Sequence, residues 1–408
     1  MVFNWMVLYM NVKDSIQKRL IKFKYSIRKR IGLIGNLIWR RNDKIVLFGS
    51  WVGNRFACNS RYLFQYLAEN KEKLGLEHVI WVTRSKKICM NLIDMGYEAY
   101  EMDSKESIYY HKHAGYHIVC NDQFTDLYGI YSLGAKCINL WHGLPLKSFG
   151  YAGNDYKKRG KSINLNKKYI KKPWDEMFLL TTTEHATRML DKCMKLEYKY
   201  YIHSGYPRNC EVVRLTEEEE KILDILKCYD SSVLYLPTFR TGDNVFDFAL
   251  YGEILSETLA ENKILWIQKA HSVDKQNKIK PGLNGNVLTL TPEFDINVLL
   301  PHITVLSTDY SSVMFDAMYH YKPVLYLVPD IEEYKNGDRG LNLVNPFDVM
   351  CGPIFMSIDD LKNDLANYCK NPEKAKDDKY LKIRELYWGN NKVSLENIWY
   401  DIVEATTK

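Results

Sequence analysis

Short, continuous apolar runs rich in β-branched residues recur along this chain, separated by stretches with helical periodicity. Such runs are typical of strands buried on both faces, and their alternation with helices predicts parallel βαβ units. The runs form two successive sets, divided by an acidic helical segment at 216–229. The first set comprises 44–51, 78–83, 117–121, 137–142, 177–182 and 200–206; the second comprises 232–237, 264–269, 287–290, 303–308 and 323–328. The expected fold class is α/β, with two Rossmann-type doubly wound domains facing a central cleft.

The length of 408 residues fits two domains of this kind. The expected divisions are a basic segment at 1–42, a first domain at 43–215, a second at 216–376 and terminal helices at 377–408, which could pack back on the N-terminal domain.

No window of the sequence approaches the roughly 18 apolar residues that a membrane-spanning helix needs. The nine cysteines include no C-x-x-C pair, which argues against a disulfide framework and against a thiolate zinc site. A reducing cytoplasm and no export are expected.

The N-terminal segment carries most of the chain's basic character. Residues 1–42 contain ten Lys or Arg and one acid, Asp14, a local charge of +9 against +6 for the whole chain. From Ile16 to Ile38 the apolar residues recur at steps of three and four, which predicts an amphipathic basic helix. Trp5 and Trp39 flank it, as interfacial aromatics often do. An anionic membrane surface is the favoured partner, and a solvated helix packed on the protein body is the alternative.

The first candidate site is the sequence Trp141-His142-Gly143-Leu-Pro-Leu-Lys147, which follows a buried strand. A histidine delivered at the carboxyl end of a strand faces the cleft, and its ordinary pKa near 6.5 suits a general base at neutral pH. A hydrogen bond to the turn is the equally weighted alternative. Gly143 and Lys147 are expected to lie with His142 on the side of the cleft where the hydroxyl that gives up its proton, the acceptor, would bind.

The second candidate site lies where strands of the second set end. Strand 303–308 runs into Thr308, Asp309, Ser311 and Ser312, which begin a helix. A helix N-terminus presents unpaired N–H groups and a positive dipole end that suit a phosphate, although Asp309 or Ser311 as a simple helix cap is the alternative. Further groups suited to phosphate oxygens follow other strands of the same sheet edge: Arg240, Lys269, His271 and Arg339.

Several absences narrow the function. The chain has neither a G-x-x-x-x-G-K-[ST] loop nor a G-x-G-x-x-G fingerprint, which makes ATP-driven and dinucleotide chemistry poor candidates. His111, His113 and His117 could ligate a metal but lack supporting ligands, so neither a metal nor a cofactor is expected. The basic run at 157–172 favours anionic lipid or a lipid-linked polyanion over a solvated loop. Nucleic acid is not expected as a partner, because no groove-reading fold is present.

Seven stretches resemble the CDP-glycerol glycerophosphotransferase family, whose members build teichoic acids and related capsule polymers. They occur in the family's order. They are WHGLPLKSFGY (141–151), SGYPRN (204–209), LPTFR (236–240), KAH (269–271), FDINVLLPHITVLSTDYSSVMFDAM (294–318), KPVLYL (322–327) and RGL (339–341).

The resemblance implies a GT-B-like pair of Rossmann domains, a CDP-glycerol or CDP-ribitol donor, and a lipid-linked acceptor at the cytoplasmic face of the membrane, to which the protein binds peripherally. Two departures affect local loop shape: Cys210 stands where the family often has Asp, and Ser272 where it often has Pro. The family's functional histidines correspond to His142 and His271, and its phosphate-binding residues to Arg240, Ser311, Ser312 and Arg339.

The expected function is transfer of a polyol phosphate, glycerol phosphate first among the candidates, from the CDP-linked donor to an acceptor hydroxyl with release of CMP. A GT-B glycosyltransferase using a nucleotide sugar and a ribitolphosphotransferase of the same family are the alternatives. A non-catalytic scaffold protein at the membrane surface is the third alternative function. No motif distinguishes glycerol from ribitol, or addition of one unit from polymerisation.

Overall fold

The computed structural model describes residues 39–132, 134–149, 152, 177–194, 200–238, 250–269, 281–332, 344–390 and 392–407. The predicted basic helix, the basic run at 157–172, and Arg240, His271 and Arg339 lie outside these residues. Within them, the strands form two seven-stranded sheets.

The first sheet is parallel throughout. Its order is β3-β2-β1-β4-β5-β6-β7, so the chain builds outward from β1 in one direction and then in the other. The topological switch therefore lies between β1 and β4, where doubly wound sheets bind ligands at the carboxyl ends of the strands. The strands are β1 (Asn42–Phe48), β2 (His78–Thr83), β3 (Glu98–Glu101), β4 (Ala114–Val119), β5 (Lys136–Asn139), β6 (Met177–Thr181) and β7 (Tyr201–His203).

The second sheet has the order β10-β11-β9-β8-β12-β13-β14, with β10 antiparallel to β11 and the other pairs parallel. Its switch point lies between β8 and β12. The strands are β8 (Ser231–Leu236), β9 (Ile264–Lys269), β10 (Gly282–Asn284), β11 (Val287–Leu290), β12 (Val305–Thr308), β13 (Val324–Leu327) and β14 (Ile354–Phe355).

The helices of the described residues, numbered in chain order, pack on these sheets or connect their strands. They are α1 (Cys58–Glu69), α2 (Lys86–Asp94), α3 (Lys105–His113), α4 (Gln123–Asp126), α5 (Glu184–Met194), α6 (Glu217–Leu226), α7 (Tyr251–Ile254), α8 (Ser256–Glu261), α9 (Val313–Tyr319), α10 (Pro346–Val349), α11 (Ile358–Lys370), α12 (Tyr380–Trp388) and α13 (Leu395–Thr407). The acidic helix α6 begins with a capping box between Thr216 and Glu219, which satisfies N–H groups at its first turn.

All eleven predicted strands are present, with the predicted ends at 78–83, 264–269 and 287–290 and shifted ends in the others, and three further strands were missed. β3, β10 and β14 each lie at the edge of a sheet and span two to four residues. Short edge strands are half-exposed, so they lack the continuous apolar run that marks a central strand. β1 ends at Phe48, before the predicted 51, because a 3-10 turn at Trp51–Gly53 follows it.

The hydrophobic core places the histidine loop against the second sheet. Leu144 and Leu146 follow β5 of the first sheet, yet they are buried in the cluster that contains Leu306 of β12 and Phe315 of α9. Helix α13, in contrast to this loop, packs on the first sheet. Its Trp399 belongs to a hydrophobic cluster with residues of β1, β2 and α1. The loop after β5 is thus anchored at the junction of the two sheets.

Trp39, one of the aromatics expected at a membrane surface, packs on the protein body. Its ring centroid lies 5.7 Å from that of Tyr131, and the Lys112 ammonium lies 4.6 Å from the ring. The neighbouring Arg41 donates to the carbonyl oxygens of His111 and Ala114 at 2.8 and 3.2 Å. Among the helices of the described residues, none is long and apolar enough to cross a bilayer.

Candidate active site

A cleft with a cavity volume of about 180 Å³ lies between the carboxyl ends of the two sheets. The first sheet contributes Trp51, Arg55, His142 and Arg208, which follow strands β1, β5 and β7. The second contributes Lys269 at the end of β9, Glu293 and Asp295 after β11, and Ser311, Ser312 and Asp316 after β12. The structure therefore brings His142, Lys269, Ser311 and Ser312 together, as the sequence predicted.

His142 is held in one tautomer by the first sheet. Its Nδ1 lies 3.0 Å from the carbonyl oxygen of Cys120, which follows β4. Because a carbonyl oxygen only accepts, Nδ1 carries the proton and Nε2 is left with the lone pair. Burial lowers the pKa of His142 below its usual value of 6.5, and the charge on Arg208 acts in the same direction. The imidazole is therefore neutral at pH 7 and suited to accept a proton.

Gly143 lets the histidine loop reach the other sheet. Its φ of 149° is a conformation that residues with a side chain rarely adopt. A Cβ added here would lie 3.2 Å from Nη2 of Arg208 and 3.4 Å from Oγ of Ser312. The backbone next to His142 thus packs closely against the serine that precedes α9.

Arg208 and Asp316 tie the two halves of the cleft together, and the sequence reasoning missed both. Arg208 Nε and Nη2 donate to the two carboxylate oxygens of Asp316, at 2.9 and 2.7 Å, in a bidentate pair. The third nitrogen, Nη1, donates to the carbonyl oxygen of His142 at 2.6 Å. Burial opposes the charge, but Asp316 raises the pKa of Arg208 above its ordinary value. The position of Arg208 after strand β7, at the carboxyl end of the sheet, was the sequence feature that could have identified it as a site residue.

The phosphate-side residues that line the cleft are Ser311, Ser312 and Lys269. Ser312 is the N-cap of α9 and makes no side-chain capping hydrogen bond. Lys269 donates from Nζ to the carbonyl oxygen of Phe294 at 2.6 Å. These two serine hydroxyls and one ammonium face the histidine loop across the cleft.

Three other predicted residues form hydrogen bonds at the carboxyl edge of the second sheet: Thr308, Asp309 and Lys147. None of them is among the residues that line the described cleft. Thr308 Oγ1 donates to the carbonyl oxygen of Leu236 at 2.6 Å. Both carboxylate oxygens of Asp309 accept from the backbone N–H of Thr238, at 2.8 and 2.9 Å. Lys147 donates to the hydroxyl of the same threonine at 3.2 Å, so it links the histidine loop to the second sheet. Direct contact of these residues with substrate stays a prediction.

Lys269 leads to a testable pH dependence. Burial lowers its pKa from 10.5 to about 8; nearby Asp295 opposes this shift and Arg55 adds to it. If its ammonium binds the donor's phosphates, kcat/KM for the donor should fall as the pH rises through about 8, because the amine then loses its charge. In Lys269→Met this alkaline limb should be absent and the donor KM raised at pH 7. Steady-state kinetics between pH 6 and 10 measure both, and an unchanged limb in the variant would contradict the assignment.

In the histidine cluster near α3, His111 and His113 bond to backbone groups, whereas both ring nitrogens of the buried His117 lack a hydrogen-bond partner in the described structure. His111 is buried, and its Nδ1 lies 2.7 Å from the carbonyl oxygen of Ser107 while its Nε2 accepts from the N–H of Tyr128 at 3.1 Å. Both ring nitrogens are thus occupied, and His113 contacts the carbonyl of Arg40 at 3.4 Å. In the part of the chain that is described, no group of three His, Cys, Asp or Glu side chains is arranged to hold a metal.

Comparison with known proteins identifies the family. A family model described as CDP-glycerol:poly(glycerophosphate) glycerophosphotransferase matches residues 34–399. The chain belongs to this family. Membership confirms the family resemblance seen in the sequence and the predicted enzyme class, a CDP-glycerol glycerophosphotransferase.

Related sequences cover most of the chain. It is 28% identical over 338 residues to a teichoic acid poly(glycerol phosphate) polymerase of Bacillus spizizenii, covering 79% of this chain and 84% of the relative. A protein of the same description from Bacillus subtilis is 26% identical over 309 residues, covering 73% of this chain but 40% of the relative. The match to a third protein of this description, from Staphylococcus epidermidis, covers 53% of that protein. The chain thus spans about half the length of two of these relatives.

Solved structures support the fold. A structure of the wall teichoic acid polymerase TagF superposes with a TM-score of 0.73 at 18% identity, covering 95% of this chain and 96% of that one. A putative UDP-N-acetylglucosamine 2-epimerase from Listeria monocytogenes gives 0.52 at 13% identity, covering 89% and 96%. The predicted GT-B-like α/β fold is confirmed.

Proposed function

We propose that this glycerophosphotransferase moves glycerol phosphate from CDP-glycerol to a hydroxyl at the end of a glycerol-phosphate acceptor, releasing CMP, in teichoic acid synthesis. The observation that carries the proposal is the close packing of the His142–Gly143 loop against Ser312 across the cleft. A neutral histidine and a set of phosphate-binding groups, supplied by opposite sheets, are what transfer to an alcohol requires. The family description and the relatives named above supply the identity of the donor and acceptor.

The donor's diphosphate binds on the second sheet. The hydroxyls of Ser311 and Ser312, the N–H groups at the start of α9 and the Lys269 ammonium surround the phosphate oxygens. The family resemblance adds Arg240, His271 and Arg339, which lie outside the described residues. Fixed cations and dipoles of this kind stabilise the charge on the transferred phosphoryl group.

The acceptor hydroxyl approaches from the first sheet. Its oxygen attacks the phosphorus that bears the glycerol, and its proton passes to Nε2 of His142. The new P–O bond forms as the bond to CMP breaks, and CMP leaves with the electron pair. The hydrogen bond from Nδ1 to Cys120 supports the imidazolium that forms. This step needs no redox cofactor.

Product analysis tests the proposal. Purified protein is incubated with CDP-glycerol and an acceptor ending in glycerol phosphate, and the products are identified by mass spectrometry. Release of CMP with addition of one or more glycerol-phosphate units is expected. Release of a nucleoside diphosphate would indicate glycosyl transfer instead, and no turnover of donor would contradict the proposed activity. CDP-ribitol, run in parallel, tests the alternative donor.

The lipid-linked acceptor and the membrane are part of the same proposal. The +9 charge of residues 1–42 supports binding to anionic lipid at the cytoplasmic face, since each nearby Lys or Arg contributes about 1 kcal/mol. Deletion of residues 1–38 should abolish co-sedimentation with phosphatidylglycerol vesicles in low salt. Neutral phosphatidylcholine vesicles are the control, and equal binding by the full-length and shortened chains would refute a membrane role for this segment.

A further inference from the structure

One group of cleft residues has no role in the mechanism above. Trp51 and Arg55 follow β1 and line the cleft beside His142, on the side from which the acceptor approaches. The Trp51 ring centroid lies 5.5 Å from the His142 ring centroid, and the Arg55 guanidinium carbon lies 5.6 Å from the Trp51 ring centroid. The indole therefore neighbours both the base and an arginine.

The backbone that presents Trp51 is strained and strongly held. Trp51 and Val52 have φ values of 46° and 60°, in the left-handed region that residues with a side chain seldom occupy. Asp126 accepts from the N–H of Val52 at 2.7 Å, and Thr83 Oγ1 donates to the carbonyl oxygen of Gly53 at 2.7 Å. Strain that the surroundings enforce in this way is concentrated at functional sites.

The chemistry of the acceptor indicates what this pair binds. In a glycerol-phosphate chain only a three-carbon glycerol unit separates the attacking hydroxyl from the next phosphodiester. When the hydroxyl contacts His142, that phosphodiester lies near the base on the acceptor side. A guanidinium is the preferred side chain for a phosphate, and an indole packs against the C–H groups of glycerol.

We infer that Trp51 and Arg55 form the subsite for the acceptor's terminal phosphodiester, Arg55 binding its oxygens and Trp51 packing on the glycerol between phosphate and hydroxyl. The inference rests on the proposed function and defines the acceptor class as one that carries an anion next to its nucleophile. The opposite wall carries the cation Lys269 and the carboxylates Glu293 and Asp295. Lys269 and the serines of the second sheet are assigned to the donor's diphosphate, so Arg55 is assigned to the acceptor's phosphate.

Kinetics with two matched acceptors test the subsite. One ends in glycerol phosphate, and the other is a glycerol ether of the same length without phosphate. In Arg55→Gln, the KM for the phosphate acceptor should rise about 10- to 100-fold, as loss of a charge-assisted contact implies. Its KM for the neutral acceptor and for CDP-glycerol should stay within about twofold of wild type, and Arg55→Lys should recover part of the loss. Arg188→Gln is the control, because Arg188 lies on α5 with its side chain 68% exposed.

Calorimetric binding of a glycerol-phosphate oligomer, without donor, separates this inference from the proposed function. Weaker binding to Arg55→Gln than to Arg188→Gln supports the subsite even if no CMP is released in any assay. Equal binding and equal acceptor KM in the two variants would overturn it. A rise in the donor KM of Arg55→Gln in place of the acceptor KM would also overturn it, because it would assign Arg55 to the diphosphate.

Discussion

Replacing His142 with alanine is expected to lower kcat about 100- to 10,000-fold, the usual contribution of a general base. The reason is specific to the geometry. Nδ1 is committed to the Cys120 carbonyl, so Nε2 is the nitrogen that takes the acceptor's proton. The KM for CDP-glycerol should change little, since the donor's phosphates bind on the opposite sheet. Stopped assays of CMP release against donor concentration measure both quantities.

The pH profile strengthens this test. Because burial lowers the pKa of His142 below 6.5, the wild-type kcat should fall only when the pH drops below that value and the imidazole becomes protonated. The alanine variant should lose this acid limb along with the activity. His302→Ala is the control, since His302 is exposed in the loop before β12. Near-normal turnover in folded His142→Ala would exclude the histidine as the base.

The sequence was sufficient to predict the central strands of both sheets. Runs such as 78–83 and 287–290 match the observed β2 and β11 to the residue, because strands buried on both faces must be continuously apolar. The edge strand β3 has the sequence Glu-Ala-Tyr-Glu and β10 has all three residues exposed, so neither carries that signal. Their existence depends on a neighbouring strand, which a local pattern cannot reveal.

The candidate site was predictable to the same degree and for a similar reason. His142, Lys269, Ser311 and Ser312 follow central strands, and parallel topology alone requires them to meet at the sheet edges. Strand patterns and parallel topology could not predict which side chains form contacts between the two sheets. Arg208 was part of the recognised stretch 204–209, and Asp316 of the stretch 294–318, but their pairing joins positions 108 residues apart on different sheets.

That pairing gives the second large prediction. Arg208→Met should lower the free energy of unfolding by about 3–5 kcal/mol, because it leaves the buried Asp316 carboxylate without its partner. It should also lower kcat in the protein that remains folded, since Nη1 no longer binds the His142 carbonyl. Urea denaturation gives the first quantity. Turnover per folded molecule, at a temperature well below the transition, gives the second.

Arg61→Met separates positioning from stability. Arg61 pairs with Glu219 as closely as Arg208 does with Asp316, and the exposed fractions of the four side chains lie between 2 and 7%. Arg61 does not contact the histidine loop in the described structure, and its partner lies on α6. A comparable loss of stability in both variants, with a fall in kcat only in Arg208→Met, is therefore expected. If turnover per folded molecule fell equally in both, the Arg208–Asp316 pair would act through stability alone. A selective fall would mean that the ion pair sets the position of the base against the serine-bound phosphate, so that catalysis depends on the closure of the two sheets.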